Sequence, residues 1–121
     1  MGSLYKRIGE QPALEGLVYF LYQKMLEDDR VRHHFEKVDM PVQRCKMFSY
    51  LAKSFGNDLH WTDYDLRAAH AHMQLEEDDF DAVVEHLTST LEQVGVGDPA
   101  KSEILSVIVA TKWDILNLPT K

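Results

Sequence analysis

The sequence predicts an all-α domain built from four substantial helices and a short central segment. Two observations carry this reading. Apolar residues recur at spacings of three and four almost throughout, and no run alternates with period two for long enough to form a strand. Residues that open or close helices fall between the apolar stripes: Pro12, Pro41 and Asp98-Pro99 at starts, Gly56-Asn57 and Gly95-Val96-Gly97 at stops. With 121 residues, 45% of them hydrophobic, the chain is expected to form one domain over residues 1–121. A chain of that size buries roughly 65% of its unfolded surface.

Taken in order, residues 3–8 read as a short helix with Leu4 and Ile8 four apart. A second helix follows Gln11-Pro12. Its stripe is Leu14, Leu17, Val18, Leu21, Tyr22, Met25 and Leu26, all on one face. Residues 30–35 make at most one helical turn. Asp39 suits a helix cap and Pro41 a first turn, so the third helix is expected over residues 41–55. At ~100° per residue, Gln43, Lys46, Met47 and Tyr50 cluster on one of its faces. Phe48, Ala52 and Phe55 cluster roughly opposite. Residues 57–65 read as irregular and residues 64–73 as a helix of two or three turns. The acidic run Glu76-Glu77-Asp78-Asp79 suits the positive end of a helix dipole. The helix behind it carries Phe80, Val83, Val84, Leu87, Leu91 and Val94 on one face. Asp98-Pro99 then opens a last, continuous helix with Ile104, Val107, Ile108, Thr111 and Ile115 inward.

Composition removes several function classes. There are 20 acidic residues against 13 basic ones, for a net charge of −7, whereas a nucleic-acid binder needs a basic stripe. The single cysteine, Cys45, allows no internal disulfide and no CxxC site, so a reducing, cytoplasmic setting is expected. No run of ~18 apolar residues could span a membrane. The first residues lack a basic region followed by an apolar run, so no secretory signal is expected. Met1-Gly2 does not make a myristoylation site, because Lys6 stands where Ser or Thr is required. Gly95-Val96-Gly97 is half of a GxGxxG pattern and follows a helix rather than a strand, which removes a nucleotide reading.

Six histidines are the first candidates for chemistry: His33, His34, His60, His70, His72 and His86. There is no HExxH. His70 and His72 would point ~200° apart on a helix, so they could pair on a metal only in a strand. His86 lies off its helix's apolar stripe and reads as solvated, as do His33 and His34. From helix geometry alone, His70 reads as a partly buried histidine with satisfied hydrogen bonds, a ligand role being the alternative. Tyr22 sits inside an apolar stripe, so its hydroxyl needs a partner. On the residues alone, that partner reads as a backbone carbonyl. Gln43 and Lys46 beside Met47 read as a solvated face, with Lys46 extending its amine to water.

Taken together, these residues resemble a known family. The blocks Ser3-Leu4-Tyr5, Phe35-Glu36-Lys37-Val38-Asp39-Met40, Leu66-Arg67-Ala68-Ala69-His70 and Phe80-Asp81-Ala82-Val83-Val84-Glu85-His86-Leu87 look like group I truncated hemoglobins, in sequence and in mutual spacing. The resemblance covers nearly the whole chain. It implies a two-over-two helical sandwich, a single truncated globin domain, around non-covalently held heme b. No histidine near the C-terminus is placed for a covalent heme link. The resemblance makes His70 the proximal iron ligand and Phe35 the ring stacked on the porphyrin, with Leu66 and Met47 also against the heme. Tyr22, Gln43, Lys46 and Met47 then line the distal pocket. In some algal members a lysine at the position of Lys46 can bind the iron. A neutral imidazole is a good iron ligand and leaves the opposite side open. A hydroxyl aimed at bound dioxygen stabilises the negative charge that develops on it.

The implied function is reversible binding of dioxygen and related diatomic ligands, nitric oxide and carbon monoxide, by a monomer. The alternative is an enzyme, a nitric oxide dioxygenase that makes nitrate with the help of an electron-donating reductase. A heme-free helical interaction module is a third reading, against which His70, Phe35 and Tyr22 all stand. The sequence departs from the family where a Gly-Gly pair is common after the first helix. Here Gly9-Glu10 stands, and glutamate does not adopt a left-handed backbone as cheaply. The first turn is therefore expected to differ.

Overall fold

The computed structural model describes residues 3–56, 70 and 75–116, and all regular structure among them is helical. Helix α1 spans Leu4–Ile8 and α2 spans Glu10–Leu26; a 3-10 turn covers Arg32–Phe35. Helix α3 spans Met40–Ser54, α4 spans Glu77–Gln93, α5 spans Ala100–Val109 and α6 spans Lys112–Ile115. The expected irregular stretch, Asn57 and most of the central segment lie outside the described residues. His70, from that segment, is helical.

The caps fall where the side chains can supply them. Ser3 accepts from the Lys6 amide and Asp39 from the Val42 amide, each at 3.3 Å. At the head of α4, Asp79 accepts from the Glu76 amide at 2.9 Å, so the acidic run closes the helix start while facing its positive end. Asp98 accepts from both the amide and the hydroxyl of Ser102, at 3.2 and 2.6 Å.

In the first turn Glu10 does adopt the left-handed backbone that glycine takes more cheaply. Gly9 has φ 117° and Glu10 follows at φ 63°. A Cβ on Gly9 would stand 2.9 Å from the Cβ of Ala13, so only glycine fits there. The strain thus falls on Glu10, at roughly 1–2 kcal/mol. Gly56 closes α3 at φ 98°, where a Cβ would stand 2.9 Å from that of Ser3. This close approach lets the Tyr5 amide donate to the Phe55 carbonyl at 2.8 Å and ties α1 to the end of α3.

Helix α2 is the centre of the packing. It touches α1, α3, α4 and the 3-10 turn, and α4 in turn packs on α5, which also meets α1. The result is two helix pairs, α2 with α3 and α4 with α5, joined through α2 and α4. Leu14, Leu17, Val18, Leu21, Tyr22 and Met25 of α2 are all buried, but Leu26, at the helix end, is 37% exposed. From α3 the core takes Leu51, Ala52 and Phe55, with Phe48 half-buried. From α4 it takes Phe80, Ala82, Leu87, Thr90 and Leu91, while Val94 is exposed. Ala82 and Thr90 were not part of the predicted stripe. Alanine carries little hydrophobic signal, and Thr90 satisfies its hydroxyl locally by donating to the His86 carbonyl at 2.6 Å.

The last helix is split rather than continuous. Thr111 donates its hydroxyl to the Ile108 carbonyl at 2.6 Å and its amide to the same oxygen at 2.9 Å. This tightens the chain to a three-residue repeat and separates α5 from α6. Ile104 and Thr111 still face inward.

Candidate heme pocket

Tyr22 lies in the middle of the buried stripe of α2 and is 2% exposed. A phenol buried to that extent must be hydrogen-bonded. Its Oη accepts a bond from Nε2 of Gln43 at 3.0 Å. The Tyr22 ring also meets the ring of Phe35 edge-on, with centroids 5.7 Å apart and planes at 86°. Phe35 comes from the 3-10 turn and Gln43 from the first half of α3. Three elements therefore bring Tyr22, Phe35 and Gln43 into one cluster.

Met47 stands one turn beyond Gln43 on the same face of α3. Phe35, Gln43, Met47 and Tyr50 are all half-buried. Burial pushes the Tyr50 phenol above its ordinary pKa; a hydrogen bond with Ser54 opposes this and the charge of Asp114 adds to it. Lys46, on the turn between Gln43 and Met47, is exposed. His70 is helical and half-buried. Leu66 lies outside the described residues, as do His60 and His72.

Two histidines that read as solvated are not. Nε2 of His86 lies 2.6 Å from Oδ2 of Asp28, and the two side chains are only 19% and 12% exposed. Nε2 of His34 is shielded from solvent, 3.5 Å from Oδ1 of Asp79, and has no hydrogen-bond partner among the described residues. The Asp28 carboxyl is held well below the usual carboxylate range, first by side-chain bonds from Arg30, then by the Arg30 amide and by His86. The sequence carries no local signal for these contacts, because the partners are 58 and 45 residues apart.

A phenol–amide pair beside half-buried aromatic and thioether side chains is the kind of lining that suits a large, flat, mostly apolar cofactor with a polar ligand site. Comparison with known proteins identifies the class. The sequence model of the bacterial-like globin family matches residues 3–117, and the chain belongs to that family. It is 37% identical to a group 1 truncated hemoglobin of Chlamydomonas moewusii, over 97% of this chain and 70% of that one. It is 33% identical to the group 1 truncated hemoglobin of Tetrahymena thermophila, over 94% of each chain.

Among solved structures, the fold is similar to the Fe(III) form of truncated hemoglobin from Tetrahymena pyriformis. The TM-score is 0.89 at 33% identity, covering 95% of this chain and 98% of that one. It is equally similar to the 2/2 hemoglobin of Synechococcus sp. PCC 7002 with covalently attached heme. There the TM-score is 0.91 at 30% identity, covering 96% and 99% of the two chains. The architecture is the two-over-two helical sandwich, the cofactor is heme, and the general activity is ligand binding at that heme. The residues present fit the group. Phe35 and Met47 offer apolar surface that the polypeptide covers only in part, and the Tyr22–Gln43 pair supplies polar contacts beside it. Among the described residues, no helix is long and apolar enough to cross a membrane.

Proposed function

We propose that this chain binds dioxygen and related diatomic ligands reversibly, with His70 as the proximal ligand of heme b held without a covalent link. Heme, held by these residues, would supply an iron able to bind a diatomic ligand. Phe35 and Met47 keep water from the cofactor face, with Leu66 in the same role. Tyr22 donates its hydroxyl proton toward the ligand. A hydroxyl accepts and donates at once. The bond from Gln43 therefore orients the Tyr22 oxygen while its proton serves the ligand. This hydrogen bond, 3.0 Å long in a buried setting, is the single observation that carries the reading. In such a setting a donor aimed at developing negative charge acts more strongly than in water. Lys46, exposed on the same face of α3, would offer its amine as an internal competitor for the ligand.

Two kinetic experiments test this reading. Rapid mixing of the reduced protein with oxygen, followed by displacement with carbon monoxide, measures association and release, and full recovery over repeated cycles is expected. Stopped-flow mixing of the oxygenated protein with nitric oxide, then turnover with a reductase, tests the enzymatic alternative. Sustained nitrate production would make the chain a nitric oxide dioxygenase rather than a reversible binder. Failure to take up heme at all would leave a helical interaction module.

A further inference from the structure

The segment between α2 and α3 meets α4 through polar side chains at three places. Asp28 meets His86 at 2.6 Å, Arg30 meets Glu85 at 3.0 Å and His34 stands 3.5 Å from Asp79. The order along α4 runs opposite to the order along the segment, so the two lie antiparallel. Asp28 is the hub. It accepts from the Arg30 amide at 2.9 Å, from Nε of Arg30 at 3.1 Å and from Nη2 at 2.7 Å, besides its contact with His86. Its own carbonyl accepts from the amides of Val31 and Arg32, so it also begins the backbone turn that follows. That turn ends on Phe35, whose ring presses on Tyr22.

We propose that Asp28 and His86 are positioning residues for the ligand site: their contact fixes the turn on α4 and so sets where Phe35 holds the Tyr22 ring. This rests on the reading of Tyr22 as the ligand-facing donor. Both side chains are mostly enclosed, so solvent and salt screen the pair far less than an exposed one. The neighbouring Arg32–Asp29 pair, 59% and 83% exposed, is the natural control. The competing account is that Val31, buried to 2% exposure, anchors the segment by itself. The charged contacts would then add only stability.

The test uses the heme-loaded protein and its carbon monoxide form. Tyr22→Phe comes first: an oxygen release rate unchanged by it means that the reading of the ligand site has failed, whatever Asp28 does. With that reading intact, Asp28→Asn is expected to speed oxygen release about fivefold, as a misaligned hydrogen bond would. It is also expected to split or broaden the C–O stretching band. Asp29→Asn should change neither. In a Tyr22→Phe background Asp28→Asn should have no further effect, because its influence passes through the lost hydroxyl. In the heme-free protein, Asp28→Asn should speed hydrogen exchange at the amides of residues 30–34. His86→Gln, which leaves the Asp28–Arg30 contacts in place, serves if Asp28→Asn does not fold, and should act in the same direction. A native release rate with a single native C–O band in these variants overturns the proposal. An equal effect with and without the Tyr22 hydroxyl overturns it as well.

Discussion

Nε2 of Gln43 donates to Oη of Tyr22 across 3.0 Å, joining α3 to α2 at the one phenol in the buried stripe of α2. This contact makes Tyr22 the fixed member of the pair and Gln43 its orienting partner. Tyr22→Phe keeps the ring and its packing on Phe35 and removes the donor. A hydrogen bond to a charged acceptor is worth about 1.5–3 kcal/mol, so oxygen release should accelerate roughly tenfold to a hundredfold. Gln43→Leu, which removes the bond donated to the Tyr22 oxygen, should give a smaller change in the same direction. Displacement by carbon monoxide in a stopped-flow instrument measures both.

Lys46 lies on the helix face that carries Gln43 and Met47, and it is exposed there. An amine ligates a metal only through its lone pair, so ligation requires loss of a proton and strengthens as pH rises. The ligand-free absorption spectrum should move toward a six-coordinate, low-spin form at high pH in the wild type and not in Lys46→Ala. Oxygen association should be slower in the wild type than in the variant under the same conditions. A high-spin spectrum that is independent of pH and identical in both proteins would assign Lys46 to solvent.

Glu10 sits at φ 63°, a conformation that glycine adopts without strain. Glu10→Gly should therefore stabilise the fold by about 1 kcal/mol. In a domain of this size that raises Tm by roughly 4 °C. Gly9→Ala should do the reverse, because the added Cβ would meet that of Ala13 at 2.9 Å. Thermal unfolding of the heme-free proteins separates these effects from cofactor binding.

Asp28 has its pKa depressed in the folded protein by Arg30 and His86. A carboxyl whose folded pKa lies below its unfolded value, near 3.9, contributes stability that is complete above that value. The contribution is lost as pH falls through the folded pKa. Asp28→Asn should thus be less stable than the wild type at pH 7, with the difference shrinking once pH drops below about 4. Urea midpoints measured from pH 7 to pH 3 report it. A gap that stays constant over that range would mean that the charge of Asp28 is not what holds the segment.

Much of the fold was legible because its signals are local. The α2 stripe, the Asp39 cap and the acidic start of α4 each follow from residues within one or two turns of each other. Tyr22 and Gln43 stood out as polar groups on otherwise apolar or mixed faces, and each needed a partner; that they are each other's partner is a fact of tertiary packing. His86 was misread for the same reason. Its helix face is polar by local spacing, and the carboxylate that encloses it lies 58 residues earlier. The break at Thr111 was missed because threonine fits an apolar face and its bond to the Ile108 carbonyl leaves no mark on periodicity. Glu10 shows the opposite limit. A local rule made a left-handed Glu10 costly, and the folded chain adopts that backbone all the same.

The proposal that His70 holds the heme iron is tested most directly by the absorption spectrum of His70→Gly with and without added imidazole. The variant is expected to lose heme or to lose its five-coordinate ferrous band, and imidazole in solution is expected to restore the wild-type spectrum by filling the vacated position. His72→Gly should leave the spectrum unchanged. A wild-type spectrum in His70→Gly without imidazole, together with an altered one in His72→Gly, would contradict the assignment.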